Sequence, residues 1–396
     1  MAASLTMKCV DTFRKLYRRD PSDTSFCPYR ICPIGAHIDH QHGKVTGFAI
    51  DKGITVAYEP TDDGTVEVTS LDFDGTKRFS VNAVPAGKQN DWADYLRGVT
   101  VQLGKKFSLN IGLRAVVEGS LPVGGLSSSA AVILAYMTAL CRVNGIRLTE
   151  NEKIMIAKAA ENKYVGVACG KLDQSCEVYC RKDHLLYLDT LDDTFERIPA
   201  SPSMKPYEIA IFFSGIERTL VGSKYNTRVD ECRAAAYTLK AHAGMDYGEI
   251  AETHLREVPR EIYDMYGQLL PEPWRRRAEH WYSESERVEA GADAWRRGNI
   301  EAFGKLVFAS GKSSIENYEV GSPELIKLYE IMTQTDGIYG GRFSGAGFKG
   351  CSLALIDPAY HEKIMETVTK RYLVAFPELE GKYSVHICRT SDGVTE

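Results

Sequence analysis

Pro122-Val123-Gly124-Gly125-Leu126-Ser127-Ser128-Ser129-Ala130-Ala131 is the stretch on which the fold of this chain turns. An alternating apolar run, Leu109 to Val117, precedes it. An Ala-rich apolar run, Ala130 to Val143, follows and stops at Asn144-Gly145. The pattern predicts strand, loop and helix, with the helix N-terminus at the three serines. Adjacent glycines let a backbone approach a ligand closely. Free N–H groups and the dipole at that helix end favour an anion, phosphate above all. No lysine follows, so the loop is not of the G-x-x-x-x-G-K-[ST] kind. A Gly/Ser turn that caps an ordinary core helix fits the same residues.

The surrounding chain sets bounds on both readings. Its 396 residues are enough for two or three domains. Hydrophobic residues at 44% and charged residues at 26% fit a soluble globular protein. A formal net charge of −5, with scattered Lys and Arg, argues against a nucleic-acid partner. The run Arg275-Arg276-Arg277 is read as a solvated helix face. Ten cysteines without C-x-x-C pairs are expected to be reduced thiols of a cytoplasmic protein. Val10, Phe13, Leu16 and Tyr17 fall at helical spacing and predict a first helix over 1–19, not a targeting segment. No apolar run is long enough to cross a membrane.

Upstream of the serine loop, Tyr29 to His40 begins as a strand and ends in a polar turn, followed by strands over Val45–Tyr58 and Thr65–Ser70. His37-x-x-His40-x-His42 has neither a Cys pair nor an HExxH helix beside it, so a metal cluster is not expected. Solvated loop histidines, or an imidazole and carboxylate offered to sugar hydroxyls, fit the turn. A helix is expected from Asp91 to Gly104. Downstream, Thr149-x-x-Glu152 is a capping box, opening a helix that carries Glu161 and stops at Gly166. Asp173 follows the Cys169-Gly170 turn and is a candidate base or a turn cap. Three prolines in 199–206 mark a junction, which divides the chain into 1–198 and 199–396. A second Gly-rich loop, Gly340 to Cys351, precedes a strand. Ala309 to Ser313 imitates the end of a phosphate loop, but its first glycine would fall at Leu306 inside a helical pattern.

Taken together, Tyr29 to Asp39, Pro122 to Ala131 and Ser344 to Cys351 resemble the three motifs of the GHMP kinases, in order and spacing. Trp92-Ala-x-Tyr95, Ala160-Glu161-Asn162, Cys169-Gly170-x-x-Asp173-Gln174, Ser223-x-Tyr225 and Tyr318-Glu319-Val320 resemble galactokinase segments. The resemblance implies an α+β fold in two lobes: an N-terminal mixed sheet with helices and a C-terminal antiparallel sheet with helices, with the active site between them. It implies transfer of the ATP γ-phosphoryl to a sugar's anomeric hydroxyl, with Mg²⁺. By the same resemblance, Pro122, Gly124, Gly125, Leu126, Ser127, Ser128, Ser129 and Ala130 bind the nucleotide. Ser129 and Glu161 hold the metal. Asp173 takes or orients the hydroxyl proton, and Arg30 lies between Asp173 and the γ-phosphate. Ala36, His37, Asp39, Gly170 and Tyr225 meet the sugar, and Gly345, Ala346 and Gly347 complete the cleft floor. Trp92 is similar to an aromatic near the adenine, with core packing equally open; for Tyr225 a helix-surface position stays open.

One departure is informative. Galactokinases have Gly-Glu-His-x-Asp in the first motif, whose Glu is similar to a ligand of the C6 hydroxyl. Here the run is Gly35-Ala36-His37-Ile38-Asp39. A Glu there would repel a carboxylate on C6, so Ala36 permits a uronic acid. This run, and Phe343-Ser344-Gly345-Ala346-Gly347-Phe348, also look like the galacturonokinases. The expected substrate is therefore galacturonate, with galactose or arabinose as alternatives and a catalytically silent sugar sensor as another class. A C6 carboxylate calls for Arg or Lys; Lys171 and Arg228 are the candidates near site segments. The expected partner is a small sugar acid, with monomer and dimer both open.

Overall fold

The computed structural model describes residues 2–167, 169–216, 222–347 and 349–394. The first half contains α1 (Ala2–Tyr17), β1 (Asp23–Ile31), β2 (Lys44–Thr61), β3 (Thr65–Ser70), β4 (Thr76–Ser80), α2 (Asp94–Gly104), β5 (Gly112–Gly119), α3 (Ser128–Val143), α4 (Glu150–Ala159), α5 (Leu172–Tyr179), β6 (His184–Asp189) and β7 (Phe195–Pro199). The second half contains β8 (Glu208–Phe213), α6 (Gly222–His242), α7 (Arg260–Tyr266), α8 (Glu272–Arg296), α9 (Ile300–Glu316), α10 (Pro323–Thr333), β9 (Ile338–Phe343), β10 (Cys351–Ile356), α11 (His361–Ala375), β11 (Ser384–Cys388) and β12 (Thr390–Ser391).

β2 is the spine of an eight-stranded sheet ordered β4-β3-β5-β2-β6-β7. Its 18 residues are long enough to serve several neighbours. The start pairs with β6 (Lys44 opposite Asp189), the end with β5 (Ile54 opposite Gly119), and β1 pairs antiparallel with it from Asp23 to Ile31. The β1 register shifts between Pro28 and Tyr29, where proline supplies no N–H to the ladder. α3 lies on β1 and β2 and is buried from Ala130 to Cys141 except at Val132, which explains its nearly continuous apolar sequence. α1 covers the sheet's other side, where Cys9 and Phe13 pack on Ala57 and Val116.

The second sheet is antiparallel, ordered β11-β8-β10-β9, and α9 and α10 pack on β9. The fold is thus α+β. The proline-rich stretch 199–206 starts on the last residue of β7, Pro199, and the rest of it lies in the connection to β8. β12 returns to the first sheet, setting Thr390 opposite Ile50, and Val394 donates its N–H to the Glu177 carbonyl at 2.7 Å. Among the described residues no helix is long and apolar enough to cross a membrane, and all ten cysteines are free thiols.

The reading of Arg275-Arg276-Arg277 as a solvated face needs correction. Arg275 and Arg276 are partly exposed, but Arg277 is buried. Its guanidinium donates to Glu231 Oε2 at 2.6 Å, to the Asn317 carbonyl at 2.5 Å and to Glu319 Oε2 at 2.5 Å. The helical period places Arg277 in line with Trp281 and Glu284, on the inward side of α8.

Candidate active site

The two Gly-rich loops meet across a cleft of about 570 Å³. Gly350, at φ +93°, lies so close to the first loop that a Cβ there would stand 2.6 Å from the Gly124 carbonyl carbon. Ser344 Oγ donates to the Gly125 carbonyl at 2.6 Å. Ser127 is the N-cap of α3 at φ +58°, and its buried hydroxyl has no partner among the described residues. An orphan hydroxyl beside the free N–H groups of a helix N-terminus, on a cleft wall, is suited to a phosphate.

Arg30 and Asp173 are far apart in sequence and meet at the cleft. Arg30 Nε and one terminal nitrogen both donate to Asp173 Oδ1, at 2.9 and 2.7 Å. The other terminal nitrogen donates to the Gly125 carbonyl at 3.3 Å. Burial would lower the Arg30 pKa, but Asp173 outweighs it and raises it. One guanidinium therefore ties the acid to the first Gly-rich loop. Asp173 Oδ2 has no partner among the described residues.

α4 does not run unbroken to Gly166. It passes at Ala160 into a π turn over Ala160–Val165, closed by Gly166 donating to the Glu161 carbonyl at 2.8 Å. Such turns are frequent at functional sites because they re-aim one side chain. The side chain here is Glu161, buried and pushed up to about 7 by burial and by Asp173, while hydrogen bonding from Ser129, Cys169 and Gln174 pulls it down. Ser129 and Glu161 are thus brought together, a hydroxyl and a carboxylate of the hard-oxygen type that suits Mg²⁺.

Elsewhere on the cleft wall, Asp39 packs against Gly170 so closely that a Cβ on Gly170 would stand 1.9 Å from Asp39 Oδ2. Burial and Asp173 push the Asp39 carboxyl up to about 6. His37, at φ +66°, stacks on Tyr318 with ring centroids 4.5 Å apart, and its Nε2 has no partner among the described residues. Burial holds its imidazole well below the usual histidine range.

Arg30, Ala36, His37, Asp39, Gly125, Ser127, Gly170, Asp173, Gly345 and Ala346 line the cleft. Other expected site residues lie outside its wall. Pro122 is exposed, Leu126 and Ala130 are buried, and Gly124 is the seat for Gly350. Ser128 opens α3 beside Ser129. Gly347 packs on the Phe343 ring. Trp92 packs on the core. Tyr225 is in the first turn of α6, but its side chain, like residue Phe348, lies outside the described residues. Lys171 is bonded to Asp193 at 2.7 and 2.8 Å, and Arg228 pairs with Glu231 at 3.1 Å. The sequence reading missed Arg342, Lys349 and Asn226, which line the cleft. Arg342 could have been found as a charge inside β9, whose last four residues are buried.

Residues 94–181 match the GHMP kinases N terminal domain, 292–374 the GHMP kinases C terminal domain, and 11–60 the galactokinase galactose-binding signature. The chain is 39% identical to a galacturonokinase of Arabidopsis thaliana over 92% of this chain and 91% of that protein. It is 33% identical to a galactokinase of Roseiflexus sp. (strain RS-1), over 97% and 95%. The crystal structure of Lactococcus lactis galactokinase complexed with galactose superposes with a TM-score of 0.87 at 28% identity, covering 98% of each chain. Mevalonate kinase of Methanococcus jannaschii shares the fold, at a TM-score of 0.67, 14% identity, and 93% and 98% coverage.

Proposed function

The chain belongs to the GHMP kinases and is an ATP-dependent sugar kinase, and from that premise we propose that its acceptor is D-galacturonate. The products are galacturonate 1-phosphate and ADP. The observation that carries the chemistry is the Arg30 bridge between Asp173 and the Gly125 carbonyl. It sets an acid beside the loop whose amides receive the nucleotide phosphates. The anomeric hydroxyl gives its proton to Asp173 Oδ2, or is aimed by it, while Arg30 offsets charge on the moving phosphoryl group. Phosphoryl transfer is dominated by positioning and electrostatics, so Arg30 acts as much by holding the two reactants in line as by its charge. Ser129 and Glu161 would hold Mg²⁺, which supplies charge neutralisation on the phosphates. Within the proposed division at residue 198, the base and phosphate loop belong to the first lobe and the second glycine loop to the other. Ten free thiols support a cytoplasmic site of action.

Two features support a uronic acid. Ala36 lines the cleft where galactokinases keep a Glu, so no carboxylate opposes one on C6. The second is Lys349 on the cleft wall, a cation able to face a carboxylate on C6; Arg30 and Arg342 also line the cleft but are engaged by Asp173 and Glu284.

ADP release with galacturonate, galactose, arabinose and glucuronate under Mg-ATP tests the proposal. Galacturonate is expected to give the highest kcat/KM. Galactose or arabinose in first place reassigns the acceptor, and binding of sugar and ATP without ADP release makes the protein a sensor. Asp173→Asn is expected to lose at least a hundredfold in kcat with ATP still bound, and near-normal turnover removes Asp173 from the mechanism.

A further inference from the structure

Opposite the sugar-facing turn, α8 presents two fully buried polar residues one helical turn apart, His280 and Glu284. Both reach out of the second half of the chain and bond the backbone of the first. Gly35 donates its N–H to Glu284 Oε1 at 2.6 Å. His280 Nε2 lies 3.0 Å from the Ala36 carbonyl, and Nδ1 lies 2.9 Å from Ser313 Oγ. A carbonyl only accepts, so Nε2 carries the proton and Nδ1 accepts from Ser313.

The supporting shell is satisfied. Glu284 Oε1 also receives Ser310 Oγ at 2.5 Å, and Oε2 receives Arg287 Nε at 2.7 Å. Arg342 lies 3.7 Å from Glu284, and donates to Ser310 Oγ and, at 3.0 Å, to Ser314 Oγ. Burial pushes the His280 pKa down to about 4, so its neutral donor form persists. The backbone held in this way is an unusual one: Gly35 is at φ +104° and His37 at φ +66°. Residues outside the α and β regions persist only where their surroundings over-determine them.

We propose that His280 and Glu284 are positioning residues for sugar recognition, which hold the Gly35–His37 turn from the other half of the molecule and set sugar affinity without touching the nucleotide. This rests on the sugar-kinase reading, but not on which sugar is the acceptor. Loss of either contact lets Ala36 and His37 swing away from the face that meets the sugar. The phosphate loop and Asp173 are carried by other elements and stay in place.

The experiment measures KM for sugar and for ATP separately, using whichever sugar the unaltered enzyme turns over fastest. Without sugar-dependent turnover the kinase reading fails first, and the two failures are told apart. His280→Leu is expected to raise the sugar KM at least tenfold while the ATP KM stays within twofold. His280→Gln keeps a donor for the Ala36 carbonyl and is expected to recover most of the loss. Parallel rises in both KM values, or a Gln variant no better than Leu, would overturn the proposal. Should His280→Leu not fold, Ser313→Ala removes the hydroxyl that holds Nδ1, and with it a 3.2 Å acceptor of the part-buried Asn317 amide. It is expected to raise the sugar KM two- to fivefold, and an unchanged value overturns the proposal equally.

Discussion

At the residue scale, Ala36 and Asp39 make opposite demands on charge. Ala36→Glu would bring a second carboxylate near the one on galacturonate. At about 5 Å and an effective dielectric near 20 the repulsion is about 3 kcal/mol, roughly a hundredfold in affinity. The sugar KM for galacturonate is expected to rise accordingly, with galactose use unchanged or improved. Better use of galacturonate by the variant would refute the charge argument. Asp39 makes a pH prediction. Its carboxyl is raised from an ordinary 3.8 to about 6, and in the proposed sugar site the ionised form is the better acceptor for hydroxyl donors. At saturating Mg-ATP, kcat/KM for sugar should fall about tenfold per unit below pH 6. The sign for stability is the reverse. A raised folded-state pKa favours folding below the unfolded value and loses that contribution as pH rises through 6. Acid inactivation through Asp39 is therefore not unfolding, and circular dichroism at pH 5 should stay native. An acid limb that persists in Asp39→Asn assigns it to another group.

At the element scale, the regular parts of the structure were legible and their irregularities were not. The Thr149–Glu152 capping box is present, with Glu152 N–H donating to Thr149 Oγ1 at 3.2 Å. α3 begins at the serines because its apolar run and its Gly-Gly turn agree. The π turn that aims Glu161 left no such mark, since 3.6-residue periodicity cannot show one inserted residue. Short strands such as β4 and β7, each of five residues, passed unread. Arg277 was misread because a basic triplet suggests solvent, whereas its phase on α8 points inward. That phase has an energetic consequence. Arg277 sits 6.0 Å from the Tyr318 ring centroid, and Tyr318 stacks on His37. Arg277→Met leaves Glu231 and Glu319 short of a buried partner and is expected to cost about 3 kcal/mol. Thermal unfolding measures this, and a melting temperature within 1 °C of the unaltered protein would show that the pairs carry no net stability.

Across the whole molecule, the site is assembled from stretches remote in sequence. The resemblance of separate motifs foretold that Arg30, Gly125 and Asp173 would converge. The contacts from α8 onto Gly35 and Ala36 were not foreseen, because long-range pairing of buried polar groups has no local pattern. Nor was the return of β12 to the first sheet, since a two-residue strand carries no periodicity. Deleting the chain from Thr390 onward removes that strand and the bonds of Gly393 to Cys180 and of Val394 to Glu177. It also removes the acceptors of the Lys182 and Asp183 N–H groups and the Thr390 hydroxyl bond to Asp183; at about 1 kcal/mol for each lost hydrogen bond, the expected penalty is about 5 kcal/mol, read as a lower midpoint in urea. An unchanged midpoint would make the tail ornamental.

The same returning tail bears on how the polypeptide could be cut. Cleaved within 199–206, the C-terminal piece would still own a strand that belongs in its partner's sheet, and α8 would still grip the partner's recognition turn. Two such pieces, made separately and mixed, have the complementary edges needed to reassemble into a working enzyme by fragment complementation.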